Sequence, residues 1–140
     1  MTVKIVVNTN IFISAIISKS GASRKVIRGC LEGKYLPLMG NSLFAEYESL
    51  INRDEVNKKS PLTVTEIELL LASFISVCNW ISIYYLWRPN LRDEADNHLI
   101  ELALAGNAQF IITNNIKDFR GAELLFPQLQ IIQPEYFLEV

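Results

Sequence analysis

Two apolar runs end in clusters of oxygen-bearing side chains. Ile5-Val6-Val7 gives way to Asn8-Thr9-Asn10, and Phe110-Ile111-Ile112 gives way to a stretch from Thr113 to Asp118 that includes Asn115. Among the acids between them, Glu46, Asp93 and Asp96 are the candidates to join these oxygens. Carboxylate, amide and hydroxyl oxygens gathered in one pocket are hard ligands that suit Mg²⁺ or Mn²⁺, and Mg²⁺ is commonly held through one or two carboxylates plus water and phosphate. Zinc is not expected, because His98 is the only histidine and Cys30 and Cys78 show no CxxC spacing.

The acids need elements that aim them. Leu99, Ile100 and Ala103 follow Asp96 by three, four and seven residues, so Asp96 should face the buried side of a helix at its N-terminus, where the dipole favours an anion. Glu46 has Leu43 three before it and Leu50 four after it, the same helical stripe. A carboxylate on an apolar stripe is costly to desolvate unless a cation, a metal or hydrogen-bond donors meet it. Each acid also has a simpler role: Asp93 and Asp96 as helix caps, Glu46 paired with Arg or Lys, Asp118 in a turn. The joint reading gains weight because Asn8, Asp96 and the Thr113 to Asp118 stretch are all expected at the carboxyl edge of one parallel sheet, where α/β proteins collect ligands.

Periodicity supplies the frame. Residues 3–7 read as a buried strand, followed by a short helix to about Gly21 and a second, capped by Ser23, to about Gly33. Arg24 and Arg28 are four apart and should project together from its polar side. Tyr35 to Met39 is a weak strand interrupted by Pro37, Ser42 should cap a helix through Ile51, and the polar residues 52–61 break the pattern. Thr63-x-x-Glu66 matches a capping box ahead of Ile67, Leu70, Leu71, Phe74 and Ile75. Trp80 to Leu86 reads as strand, Asp93 as the cap of a helix ending at Gly106, and 110–112 and 129–132 as strands, the last followed by one helical turn after Pro134. Alternation of this kind predicts a three-layer α/β/α sandwich with a central, mostly parallel sheet in one domain spanning residues 1–140.

The bulk properties exclude several classes. At 140 residues, 50% hydrophobic and 20% charged, the chain can bury a core without disulfides and is too apolar to be disordered. A net charge of -2 gives no global positive field for nucleic acid. Charge is uneven, however: Lys19, Arg24, Lys25, Arg28 and Lys34 against Glu32 give +4, while eight acids from Asp93 onward against Lys117 and Arg120 give -6. An acidic site beside a basic rim would show this asymmetry, with Arg24, Lys25 and Arg28 as candidate phosphate contacts; two solvated faces would show it as well. Trp80, Tyr84, Tyr85 and Trp87 are candidates for base stacking, although packing is the commoner role. Neither GxGxxG nor GxxxxGK[ST] occurs, which argues against dinucleotide and P-loop binders. No apolar run approaches membrane-spanning length, and the expected location is cytoplasmic.

Four stretches taken in order resemble the PIN domain: Val6 to Phe12, Ser42 to Glu46, Asp93 to Ala103 and Thr113 to Phe119. The likeness is greatest to the PIN-family toxins of type II toxin–antitoxin systems, the VapC-type ribonucleases. What the resemblance implies is a ribonuclease whose carboxylates position one or two Mg²⁺ or Mn²⁺ ions, with catalytic positions at Asn8, Glu46, Asp93, Asp96, Asn115 and Asp118, and metal ligation at Asn8, Asp96 and Asp118. Thr9, Asn10 and Thr113 would support them; helix capping is the simpler role for Thr9 and Asn10. The resemblance also implies an RNA substrate, a small antitoxin partner and a homodimer, for which the apolar helix from Thr65 to Val77 is one plausible surface.

The chain departs from the family at Asn8, where the pattern has Asp. An amide oxygen still ligates Mg²⁺ but brings no charge. Two unit charges at about 4 Å interact by roughly 4 kcal/mol at an effective dielectric of about 20, before desolvation offsets part of it. Losing even about 1.4 kcal/mol weakens metal occupancy tenfold. Weak, Mn²⁺-favoured activity or none is therefore expected, and a non-catalytic PIN-like module that binds RNA or an antitoxin-like protein is the alternative.

Overall fold

The computed structural model describes residues 2–18, 21–82, 97–119 and 126–140; for Asn97 and Asp118 it describes the backbone alone. The elements run β1 (Val3–Val7), α1 (Thr9–Ile17), α2 (Ala22–Leu31), β2 (Tyr35–Met39), α3 (Asn41–Ser49), α4 (Asp54–Lys59), α5 (Val64–Val77), β3 (Asn79–Trp80), α6 (Asn97–Gly106), β4 (Phe110–Ile112), β5 (Gln130–Ile132) and α7 (Pro134–Phe137). Single 3₁₀ turns follow α3 at Leu50–Asn52 and β4 at Ile116–Phe119.

All strand pairings are parallel, in the order β3-β2-β1-β4-β5. β1 is central because its apolar residues Ile5, Val6 and Val7 tolerate burial on both faces; they are at most 1% exposed. Helix α6 packs on β1, β2 and β4, whereas α2 and α5 pack on β2 and on each other, so helices flank the sheet in the expected three-layer arrangement. Phe12 of α1, Tyr47 of α3 and Phe74 of α5 form a buried aromatic trio with ring centroids 5.5 to 5.9 Å apart. Such pairs add about 0.5–1.5 kcal/mol each beyond area burial, and they tie α1, α3 and α5 together.

Several local expectations change. Ser23 does not cap α2: Gly21 occupies that position and Ser23 is buried in the first turn. Gly40, not Ser42, precedes α3. The polar stretch 52–61 contains α4, whose Asp54 and Glu55 at the start and Lys58 and Lys59 at the end complement the helix dipole. Pro37 stays within β2 because β3 pairs only with Leu38 and Met39, leaving β2 an edge at Pro37, a setting that accommodates proline. The Thr63–Glu66 capping box forms in both directions, at 3.1 and 2.9 Å. Gly106 ends α6 as expected, but the left-handed residue is Asn107 at φ 59°. A Cβ on Gly106 would lie 2.4 Å from the end of the Leu38 side chain, which would have to shift to admit one. Of the strand expected over Trp80 to Leu86, only Trp80 is strand among the described residues, joined with Asn79 in β3, and Ile81 and Ser82 lie beyond its end; residues 83–86, with Tyr84 and Tyr85 among them, and Trp87, the Asp93 cap and Asp96 lie outside the described residues.

Candidate functional site

The strand order puts a topological switch point between β1 and β4, since the chain runs outward from β1 through β2 to β3 and then returns to β4 on the other side. Ligands of open α/β sheets bind outside the carboxyl ends of the strands at such a point. Asn8 and Thr113 are the residues that follow β1 and β4. Their strands are stitched together there by a backbone hydrogen bond from the Asn8 N–H to the Ile112 carbonyl, 3.0 Å.

Asn8 precedes α1 with an extended backbone, yet its side chain caps nothing in that helix. It reaches across instead, and Nδ2 donates to the Thr113 hydroxyl at 3.0 Å. That turns Oδ1 toward Thr9, whose hydroxyl stands 3.4 Å from Asn8 Oδ1 and 3.4 Å from Glu46 Oε1. Asn10 Nδ2 also donates to Thr113 Oγ1, at 3.2 Å, and the Asn115 backbone N–H does so at 3.1 Å. Asn10 Oδ1 in turn accepts from the Asn114 N–H at 3.3 Å. Thr9 and Asn10 therefore spend their side chains on the cluster and not on helix capping. Thr113, fully buried, is its hub.

Glu46 arrives from α3. Its neighbour Tyr47, 0% exposed, donates its hydroxyl to the Val7 carbonyl at 2.7 Å and so fastens α3 to the last residue of β1. Burial, reinforced by Cys78, Cys30 and Glu46, pushes the Tyr47 phenol well above its usual value, so it stays a neutral donor. The partner of Glu46 is neither Arg nor Lys: Oε2 is in contact with His98 Nε2, from the first turn of α6. The sequence reading set His98 aside for want of zinc companions. Its position two residues after Asp96 in the sequence was the available signal. Beside the pair is a pocket of about 190 Å³ lined by Asn41, Ser42, His98, Glu101 and Leu102 among others.

Asn8, Thr9, Asn10, Glu46, Thr113 and His98 thus form one connected polar cluster. Asn115 contributes its backbone N–H while its side chain is exposed. The side chains of Asp93, Asp96 and Asp118 lie outside the described residues. Arg24 and Arg28 line one surface pocket of α2, and Arg24 there donates to the Ala15 carbonyl through Nε and Nη2, at 3.2 and 3.0 Å, tying α2 to α1. Lys25 and Arg28 are exposed. Trp80 is 47% exposed and packs against Phe44 with centroids 5.2 Å apart.

As a metal centre the described part is incomplete. Among the described residues no group of three or more His, Cys, Asp or Glu could hold an ion. What is present, one carboxylate and one amide oxygen flanking a shared hydroxyl, has the hard-oxygen character that Mg²⁺ accepts. The donor set fits such an ion in kind and needs further acids to fit it in number. No helix among the described residues is long and apolar enough to cross a membrane.

A five-stranded parallel sheet flanked by helices, with polar side chains joined at its switch point, defines the class as an α/β protein. The PIN domain model matches residues 4–117, and this chain belongs to the PIN domain family. No curated protein sequence matches it significantly. Its fold is similar to that of a chain in the crystal structure of VapBC2 from Rickettsia felis bound to a DNA fragment from their promoter. The TM-score is 0.56 and the identity 18%, over 91% of this chain and 96% of that one.

Proposed function

We propose that this protein is a metal-dependent PIN ribonuclease, the toxin of a toxin–antitoxin pair, weakened or silenced by Asn8. The observation that carries the reading is the joining of Asn8, Glu46 and Thr113, from three distant parts of the sequence, at the switch point of a PIN-family sheet. Asn8, Asp96 and Asp118 would hold Mg²⁺ or Mn²⁺, with Glu46, Asp93 and Asn115 completing the centre. A bound divalent ion would lower the pKa of the attacking water and neutralise charge on the phosphate. Thr113 holds the Asn8 amide so that its oxygen, not its nitrogen, faces the Thr9 hydroxyl, which also stands 3.4 Å from Glu46 Oε1. Fold likeness to a VapBC2 chain supports an antitoxin partner, and the family supports RNA as substrate and a homodimer as the assembled state.

The test is cleavage of several RNAs with Mn²⁺ and with Mg²⁺ by the chain as given, its Asn8→Asp form and the Asp96→Ala form of each. Activity that rises with Asn8→Asp and vanishes with Asp96→Ala supports the reading. Silence from both parents across all substrates and both metals removes it. One observation favours a second reading, a non-catalytic module that binds RNA or an antitoxin-like protein: the Asn8 amide is neutral and already engaged by Thr113. That module would bind equally well in EDTA.

A further inference from the structure

We propose that His98 is a positioning residue that holds the Glu46 carboxylate facing Asn8. The inference rests on the nuclease reading and names a residue that the reading does not include.

Glu46 is long, and its side chain is 38% exposed, so packing alone does not choose its rotamer. Ordering such a chain costs rotamer entropy, which specific contacts must offset. Among the described residues two groups meet the carboxylate. Thr9 is the weaker: its hydroxyl carries one proton and lies 3.4 Å from both Asn8 Oδ1 and Glu46 Oε1, so it serves only one of them at a time. His98 is the stronger, with Nε2 directly on Oε2.

The ring is itself well anchored. Its side chain is 15% exposed, and the adjoining Leu99 and Ile100 are fully buried in α6, which packs on β1, β2 and β4. A carboxylate accepts, so the ring donates from Nε2. His98 therefore does for Glu46 from α6 what Thr113 does for Asn8 from β4: each fixes the direction of an oxygen donor that its own helix or strand leaves free to turn. Groups that orient a metal-site carboxylate in this way change metal affinity or rate by about 10–100-fold when removed.

The test compares His98→Leu, which keeps bulk but removes the donor, with His98→Gln, which restores one, both in the Asn8→Asp protein. Mn²⁺ affinity is read by calorimetry, cleavage rate at saturating Mn²⁺ by RNA assay, and folding by melting in EDTA. A loss of about 10–100-fold in affinity or rate for the Leu form, substantial recovery by the Gln form, and similar melting of both are expected. An unaffected Leu form, or a Gln form as impaired as the Leu form, overturns the role. A separate reading by ¹⁵N NMR needs no metal: the His98 Nε2–H resonance should shift on Glu46→Ala, and an unmoved resonance also overturns it. Failure of both parents to bind Mn²⁺ or cleave RNA would instead remove the nuclease reading, leaving the pairing itself to be judged by the ring resonance.

Discussion

The Asn8 amide donates to the Thr113 hydroxyl at 3.0 Å, across 105 residues of sequence. Three donors, from Asn8, Asn10 and Asn115, thereby converge on an oxygen with two lone pairs, leaving the hydroxyl proton to find its own acceptor. A carboxylate at position 8 would take that proton and relieve the crowding. The wiring suits Asp at least as well as the Asn present.

Asn8→Asp should consequently couple stability to metal. In EDTA a new carboxylate, at a site 7% exposed and close to Glu46, should lower the melting temperature. Mn²⁺ at about 100 times its Kd should return roughly 2.7 kcal/mol of stability. Melting curves with and without Mn²⁺ check this, and an Asn8→Asp form indifferent to Mn²⁺ would refute it.

Thr113→Val should be costly despite its near-identical shape, because it removes the acceptor shared by three donors. Each donor left unsatisfied in a buried place costs about 1–3 kcal/mol. A loss of several degrees in melting temperature is expected, whereas Asn115→Ala, which keeps its backbone N–H on Thr113, should melt within about a degree of the parent.

The basic residues of α2 should divide by role. Lys25→Ala with Arg28→Ala should shallow the salt dependence of RNA affinity by roughly 1.4 in log–log slope if both touch phosphates of single-stranded RNA. Arg24→Ala should mainly lower stability, since it releases the Ala15 carbonyl. Filter binding over a salt series and thermal melts separate the two effects.

Burial pushes both thiols up to about 12, with Cys78 adding to the effect at Cys30. At pH 8 each should hold about a thousandfold less thiolate than an ordinary thiol and resist alkylation until the chain is unfolded. Stability carried by these neutral thiols is fully present below about pH 9. It falls as pH climbs toward 12, because the unfolded chain ionises first and binds fewer protons than the native one. Iodoacetamide labelling and alkaline melts test both points.

Much of the site's chemistry was legible in advance because oxygen donors after apolar runs mark the carboxyl ends of buried strands. Asn8, Thr9, Asn10 and Thr113 could be named in this way, and Glu46 from its place on the apolar stripe of a helix. The partner of Arg24 was not legible, because a four-residue spacing gives the side of a helix but not what the neighbouring helix offers: the Ala15 carbonyl of α1. Ser23 and Ser42 were misread as caps because glycine at 21 and 40 leaves no side-chain signal where each helix begins.

By itself, then, the order of residues determined the alternation of strands and helices, the parallel sheet and the oxygen-rich character of its edge, all properties of local pattern and solvation. Tertiary structure alone decided that β1 and β4 would be neighbours, that Tyr47 would pin α3 to Val7, and that the solitary His98 would meet Glu46. Those outcomes depend on strand order and helix packing. No periodicity within one segment encodes a contact whose other half lies 40, 52 or 105 residues away.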